Sequence, residues 1–150
     1  MLLFSQRKGN ESMKYLTRRE ARTKAFELIF ALKQYMDEPV HMLDTFIDET
    51  PEAGKQLSYI RNVVLGVAEK NQELEDVISA HLAKGWTMAR LSKTDIAILK
   101  LALFEIRYVE DVPDRVAVNE AVELAKLYSD EKSPAFVNGV LASVLKEKAQ

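Results

Sequence analysis

Apolar residues recur at helical spacing along most of this chain. Ala21, Ala25, Leu28, Ile29 and Leu32 share one face of a first helix. Thr17-Arg18-Arg19-Glu20 precedes them and matches a capping box, in which Thr17 and Glu20 satisfy each other's amides. The pattern predicts a helix from about Thr17 to Tyr35. Asp37-Glu38-Pro39 opens a shorter helix with Met42, Leu43, Phe46 and Ile47 inward, and Thr50-Pro51 ends it. Leu57, Ile60, Val63, Val64, Val67 and Ala68 mark a third helix. Leu74, Val77, Ile78 and Leu82 mark a fourth, with Gly85 as its expected C-cap.

The stretch "IAILKLALFEI" is apolar almost all the way round, which predicts a helix in the middle of a bundle. Ser92-Lys93-Thr94-Asp95 reads as its capping box, with Asp in the place of Glu. Pro113 separates it from a sixth helix, about Asp114 to Tyr128. Ser133-Pro134 supplies an N-cap and first-turn pair for a last helix ending near Lys148. No segment alternates with a period of two, so the expected fold class is all-α, a compact domain of six or seven helices.

Composition narrows the functional classes. The chain has 150 residues, enough for one sizeable core, and no cysteine, which removes disulfides, thiolate metal sites and a Cys nucleophile. That usage fits a cytoplasmic protein. The net charge of −2 conceals a basic start: residues 1–34 carry 8 Lys+Arg against 3 Asp+Glu, while residues 35–150 carry 13 against 20. A basic end on an acidic body suits a polyanion on one side and a cationic partner on the other. Residues 1–12 are expected to be a non-native or disordered N-terminal extension. Met13 makes a plausible natural start, and the codons for Lys8-Gly9 can read as a purine-rich ribosome-binding sequence. The domain is then 13–150.

Enzymatic chemistry has little support. His41 and His81 are far apart and sit in no metal-ligand spacing, and no Gly-rich phosphate loop or nucleophile elbow is present. No catalytic residue, metal ligand or cofactor site is expected. The basic cluster is the stronger signal. Arg18, Arg19 and Arg22 lie three or four residues apart on the opening turns of a helix, with Lys14 and Lys24 beside them. Cations at a helix N-terminus oppose the macrodipole by about 0.3–1 kcal/mol each, a cost that stability alone would avoid. Charge alone leaves polyanion binding and a solvated face as equal readings. Phe136 is either ordinary core, the stronger reading for that residue by itself, or a stacking face for a base. Asn138-Gly139 is costly inside a helix and reads as structural, with Gly139 admitting a neighbouring helix. Helix capping accounts for Asp95 without any partner.

Three blocks, "RREARTKAFELIFAL", "KTDIAILKLALFEI" and "VPDRVAVNEAVELAKLYSDEKSPAFVNGVL", resemble the NusB family in order and spacing, covering about Arg18 to Leu145. "VAVNEAVELAK" followed by "FVNGVL" is the most specific part. The resemblance implies a seven-helix single domain made of two helical subdomains and no catalysis or cofactor. It implies a transcription antitermination factor that binds single-stranded boxA RNA of ribosomal RNA leader transcripts. The ribosomal small-subunit protein NusE would bind with it, at the RNA polymerase elongation complex with other Nus factors. The family includes monomers and dimers, so a homodimer stays open. The resemblance assigns RNA contact to Arg18, Arg19, Arg22, Phe30 and Phe136, and partner docking to Asp95. Two positions depart from the family pattern: Glu20 stands where a basic residue is common, and Lys132, also expected at the RNA, stands where an acidic residue implicated in RNA engagement is usual, its cation adding a phosphate contact. The competing readings are a protein-only helical adaptor and a regulatory domain like that of ribosomal RNA cytosine methyltransferases. With the chain ending at Gln150, no room for a catalytic domain is expected.

Overall fold

The structure, a computed structural model, describes residues 14–35 and 38–150. The expected N-terminal extension, the Met13 start and Asp37 lie outside the described residues. Among the described residues there are seven α-helices and no strand. They are α1 Arg18–Tyr35, α2 Pro39–Glu49, α3 Leu57–Glu69, α4 Asn71–Ala80, α5 Lys93–Tyr108, α6 Asp114–Tyr128 and α7 Ser133–Lys148. Short 3-10 turns, Pro51–Gln56 and Met88–Arg90, lead into α3 and α5.

The capping box forms as its chemistry requires. The Glu20 amide donates to Thr17 Oγ1 at 3.1 Å, and the Thr17 amide donates to Glu20 Oε1 at 2.9 Å. That second bond is the main reason the Glu20 carboxyl lies below its ordinary pKa. Behind the cap, Ala21, Ala25, Phe26 and Ile29 are buried, so α1 turns its apolar stripe inward.

Helix α5 is the axis of the molecule. Every residue from Ala97 to Ile106 is buried, including Lys100 and Glu105. It packs against α1, α3, α4, α6 and α7. One group of helices, α1 to α3, lies to one side, while α6 and α7 pair on the other. Ile98, Leu99, Leu101 and Leu103 are each at most 1% exposed. Burial of each such side chain contributes about 1.5–3 kcal/mol of transfer free energy. Gly66 of α3 lets the Phe104 ring approach so closely that a Cβ there would overlap it.

Three local expectations change. Helix α4 ends at Ala80, not beside Gly85; the His81 amide closes it on Ile78, and Gly85, at φ 91°, turns the following connector. The capping box of α5 is only half made. Ser92 Oγ accepts from the Asp95 amide at 3.0 Å, but the Asp95 carboxylate points elsewhere. Ser133 is the first residue of α7 rather than its cap. Its hydroxyl is drawn to Asp95, and Asp130 Oδ1 accepts from the amides of Lys132 and Ser133 instead.

Candidate nucleic-acid interface

The basic cluster on α1 divides by depth. Arg19 is the outer member, its side chain 73% exposed, held through a two-pronged pair to Glu120 at 3.1 and 2.7 Å. That pair raises the Arg19 pKa. Arg18 is half-buried. Its Nε donates to Gln56 Oε1 at 2.8 Å, and its guanidinium lies 4.3 Å from the centre of the Tyr59 ring.

Arg22 is not at the surface: it is 4% exposed. Its Nε lies 3.1 and 3.0 Å from the two Glu105 oxygens, its Nη2 2.9 Å from Glu105 Oε2, and its Nη1 3.3 Å from Glu120 Oε1. The Tyr59 hydroxyl donates to Glu105 Oε2 at 2.8 Å. Burial opposes the Arg22 charge, but the hydrogen bond and charge of Glu105 outweigh it and raise its pKa. Burial, then the Glu105 charge, pushes the Tyr59 hydroxyl well above its ordinary range. The expected single exposed face of Arg18, Arg19 and Arg22 is therefore corrected at Arg22. The reason is the helical period: Arg22 falls three, four and seven residues before Ala25, Phe26 and Ile29, all buried. Glu105, a lone carboxylate in the apolar run "LALFEI", is the other half of the signal, because a buried charge needs a buried partner.

Phe136 is half-buried at the start of α7, its ring 5.9 Å from Trp86. Lys132 is exposed one turn earlier. Ala135 and Asn138 of α7 share a shallow depression with Arg19, Glu120 and Lys126. A second depression, on the Phe136 side, takes in Ala135 and Gly139. The exposed start of α7 thus lies between Arg19 and Phe136. Gly139 does not admit a neighbouring helix: a Cβ built there meets nothing within 4 Å, and both Asn138 and Gly139 are exposed. The structural reading of that pair is corrected, and its cost to α7 is not repaid by internal packing.

Phe30 belongs to a different group. It is half-buried 6.4 Å from Phe26, which in turn lies 5.0 Å from Tyr128. Asp95 is 7% exposed. Ser129 donates to one of its oxygens at 2.8 Å and Ser133 to the other at 2.9 Å, so it ties α5 to the start of α7. Asp95, to which the resemblance assigns partner docking, is thus buried and already engaged, and these hydroxyls offset the cost of burying its charge. Just before Ser129, Leu127 and Tyr128 are 74% and 43% exposed. Sequence reasoning passed over Trp86, Glu105 and Glu120. An indole in a polar connector and acids inside apolar stripes were their signals.

Among the described residues no three His, Asp or Glu side chains gather as metal ligands, and no helix is long and apolar enough to cross a membrane. What the fold presents is an all-α domain with Arg19 exposed on α1 and Lys132 and the half-buried Phe136 at the start of α7. The sequence profile of the NusB family matches residues 19–146. A transcription antitermination protein NusB of Lactiplantibacillus plantarum is 43% identical over 136 residues, covering 89% of this chain and 98% of that protein. The solved structure of T. maritima NusB superposes with a TM-score of 0.80 at 34% identity, covering 89% of this chain and 93% of that one. A structure of antitermination factors NusB and NusE in complex with double-stranded RNA superposes with a TM-score of 0.77. It is 25% identical and covers 87% of this chain and 96% of that one. The chain belongs to the NusB family, a family of transcription antitermination factors and not of enzymes.

Proposed function

We propose that this protein is a transcription antitermination factor that binds boxA RNA of ribosomal RNA leader transcripts together with NusE, in the cytoplasm. It would support processive transcription by RNA polymerase on ribosomal RNA operons. The observation that carries the reading is family membership over nearly the whole chain, joined to a fold shared with a NusB that has been solved with NusE and RNA.

The geometry suggests a division of labour. Arg19, with Arg18 beside it, offers charge to phosphates. Phe136 offers a ring edge and face, and Lys132 adds a cation in place of the family's acid. Arg22 acts from inside, through Glu105 and Glu120; the latter also orients Arg19. Asp95 would meet a basic partner only by exchanging its serine hydrogen bonds, so NusE docking is better carried by the surface around Asp95, with Leu127 and Tyr128 as its apolar part. Phe30 joins the RNA face only if the strand runs on toward Phe26 and Tyr128.

A gel shift with boxA RNA against a scrambled sequence, with and without NusE, tests the reading. Selective binding that tightens with NusE is expected. Equal retention of both RNAs, or NusE without effect, would favour the protein-only adaptor.

A further inference from the structure

The connector between α4 and α5 departs from the acidic body around it. Residues 81–92, "HLAKGWTMARLS", contain Lys84 and Arg90 and no carboxylate. They also contain the only tryptophan of the chain, and Trp86 is 44% exposed. Exposing that much indole forgoes the largest apolar burial a side chain can supply.

The local structure holds this ring outward. Gly85 turns the backbone at φ 91°, and Arg90 Nη1 donates to the Gly85 carbonyl at 3.1 Å. The bond brings the Arg90 guanidinium to 4.9 Å from the centre of the indole. Next to the indole, the Phe136 ring lies tilted by 41°. Trp86, Arg90, Ser92, Lys132 and Phe136 line a half-open cavity of about 240 Å³. Of its two carboxylates, Asp95 is buried against Ser129 and Ser133, and the exposed Asp130 uses Oδ1 to accept from the amides of Lys132 and Ser133. Aromatic faces, the exposed cations Arg90 and Lys132 and the outer oxygen of the exposed Asp130 are what remain for a ligand, so cations outnumber carboxylates there.

We propose that Trp86, braced by Arg90 and adjoining Phe136, is a stacking platform for a base of single-stranded RNA, with Arg90 and Lys132 meeting the flanking phosphates. This rests on the RNA-binding reading above and extends its surface onto the α4–α5 connector. Aromatic faces among cations are how single strands are held, since every base has a π-face and every linkage a charge. A purely apolar protein contact would gain nothing from the two exposed cations, Arg90 and Lys132, beside the rings.

Because Trp86 is the sole tryptophan, its emission reports on the platform directly in the unaltered protein. Single-stranded boxA RNA carrying a fluorescent end label is titrated while anisotropy follows binding and tryptophan emission follows Trp86. Saturable quenching that tracks anisotropy is expected. Trp86→Ala should weaken binding by about fivefold to 150-fold, the range for one lost base stack. Trp86→Phe should keep most of the affinity, and Arg90→Ala should lower it together with its salt dependence. If anisotropy shows binding while emission stays constant and Trp86→Ala binds as tightly, the platform is refuted and the RNA reading stands. If no RNA binds with or without NusE, both fail. Emission that responds to NusE alone and never to RNA would assign Trp86 to a protein contact and overturn the proposal.

Discussion

Arg19 and Arg22 are three residues apart on α1 and occupy opposite environments, one in water and one among Glu105, Glu120 and Tyr59. The same substitution should therefore read out differently. Arg22→Ala leaves Glu105 buried without its cation and should cost about 3–5 kcal/mol in urea unfolding. Combining Arg22→Met with Glu105→Leu should recover part of that loss, because an apolar replacement removes both desolvation penalties. Arg19→Ala should leave the unfolding midpoint nearly unchanged and reduce the slope of log affinity against log salt by about 1. An Arg22→Ala protein of full stability that has lost one unit of salt slope would reverse these assignments. Glu120 faces both arginines, so it couples the buried pair to the surface one.

At the scale of the helix, two glycines make opposite predictions. Gly139→Ala should stabilise by about 0.5–1 kcal/mol, since its φ is not left-handed and no atom lies in the way of a Cβ. Gly66→Ala should destabilise by about 1–3 kcal/mol, because Phe104 fills the space. Thermal unfolding of both variants separates a surface glycine from a packing glycine. If Gly139→Ala also weakens RNA binding, the RNA reading gains a reason for a helix-weakening residue there. Two carboxylates at helix ends and crossings also set a pH response. Glu20 is held below the usual range by the Thr17 amide, and Glu73 by the Tyr108 hydroxyl and then by Arg107. Depressed folded values mean that their stabilisation is present above the usual carboxylate range and lost as pH falls through the lowered values. Urea midpoints should decline below about pH 5. Glu73→Ala should make that decline shallower, and an unchanged acid slope would discount the Tyr108 bond.

Across the molecule, α5 serves both helical groups, with buried contacts from Ala97 to Ile106. The Arg22–Glu105–Glu120 cluster joins α1, α5 and α6, and Tyr59 brings in α3. Separate unfolding of the two groups would expose this shared helix and its charges. One cooperative transition is therefore expected, with the same midpoint by far-UV circular dichroism and by Trp86 emission. Two resolved transitions would show that the groups hold independently.

The helices were legible because they rest on local rules: the Thr17–Glu20 box, prolines at helix starts, and an apolar period that placed α1, α5 and α6 within a residue or two. The central place of α5 followed from a surface apolar almost all the way round. Family resemblance was legible in "VAVNEAVELAK" and "FVNGVL". The fate of individual polar side chains was not. Whether Arg22, Asp95, Ser133 or Asn138 faces water depends on what the other helices bring to it. Glu105 is 83 residues from Arg22, and Ser133 is 38 from Asp95. Local spacing fixes a face of a helix, whereas burial and pairing of a charge are set by contacts remote in the chain. The sequence by itself determined an all-α domain of six or seven helices and a basic start. Tertiary structure decided which of those cations stay in water, and that Trp86 and Phe136 stand side by side.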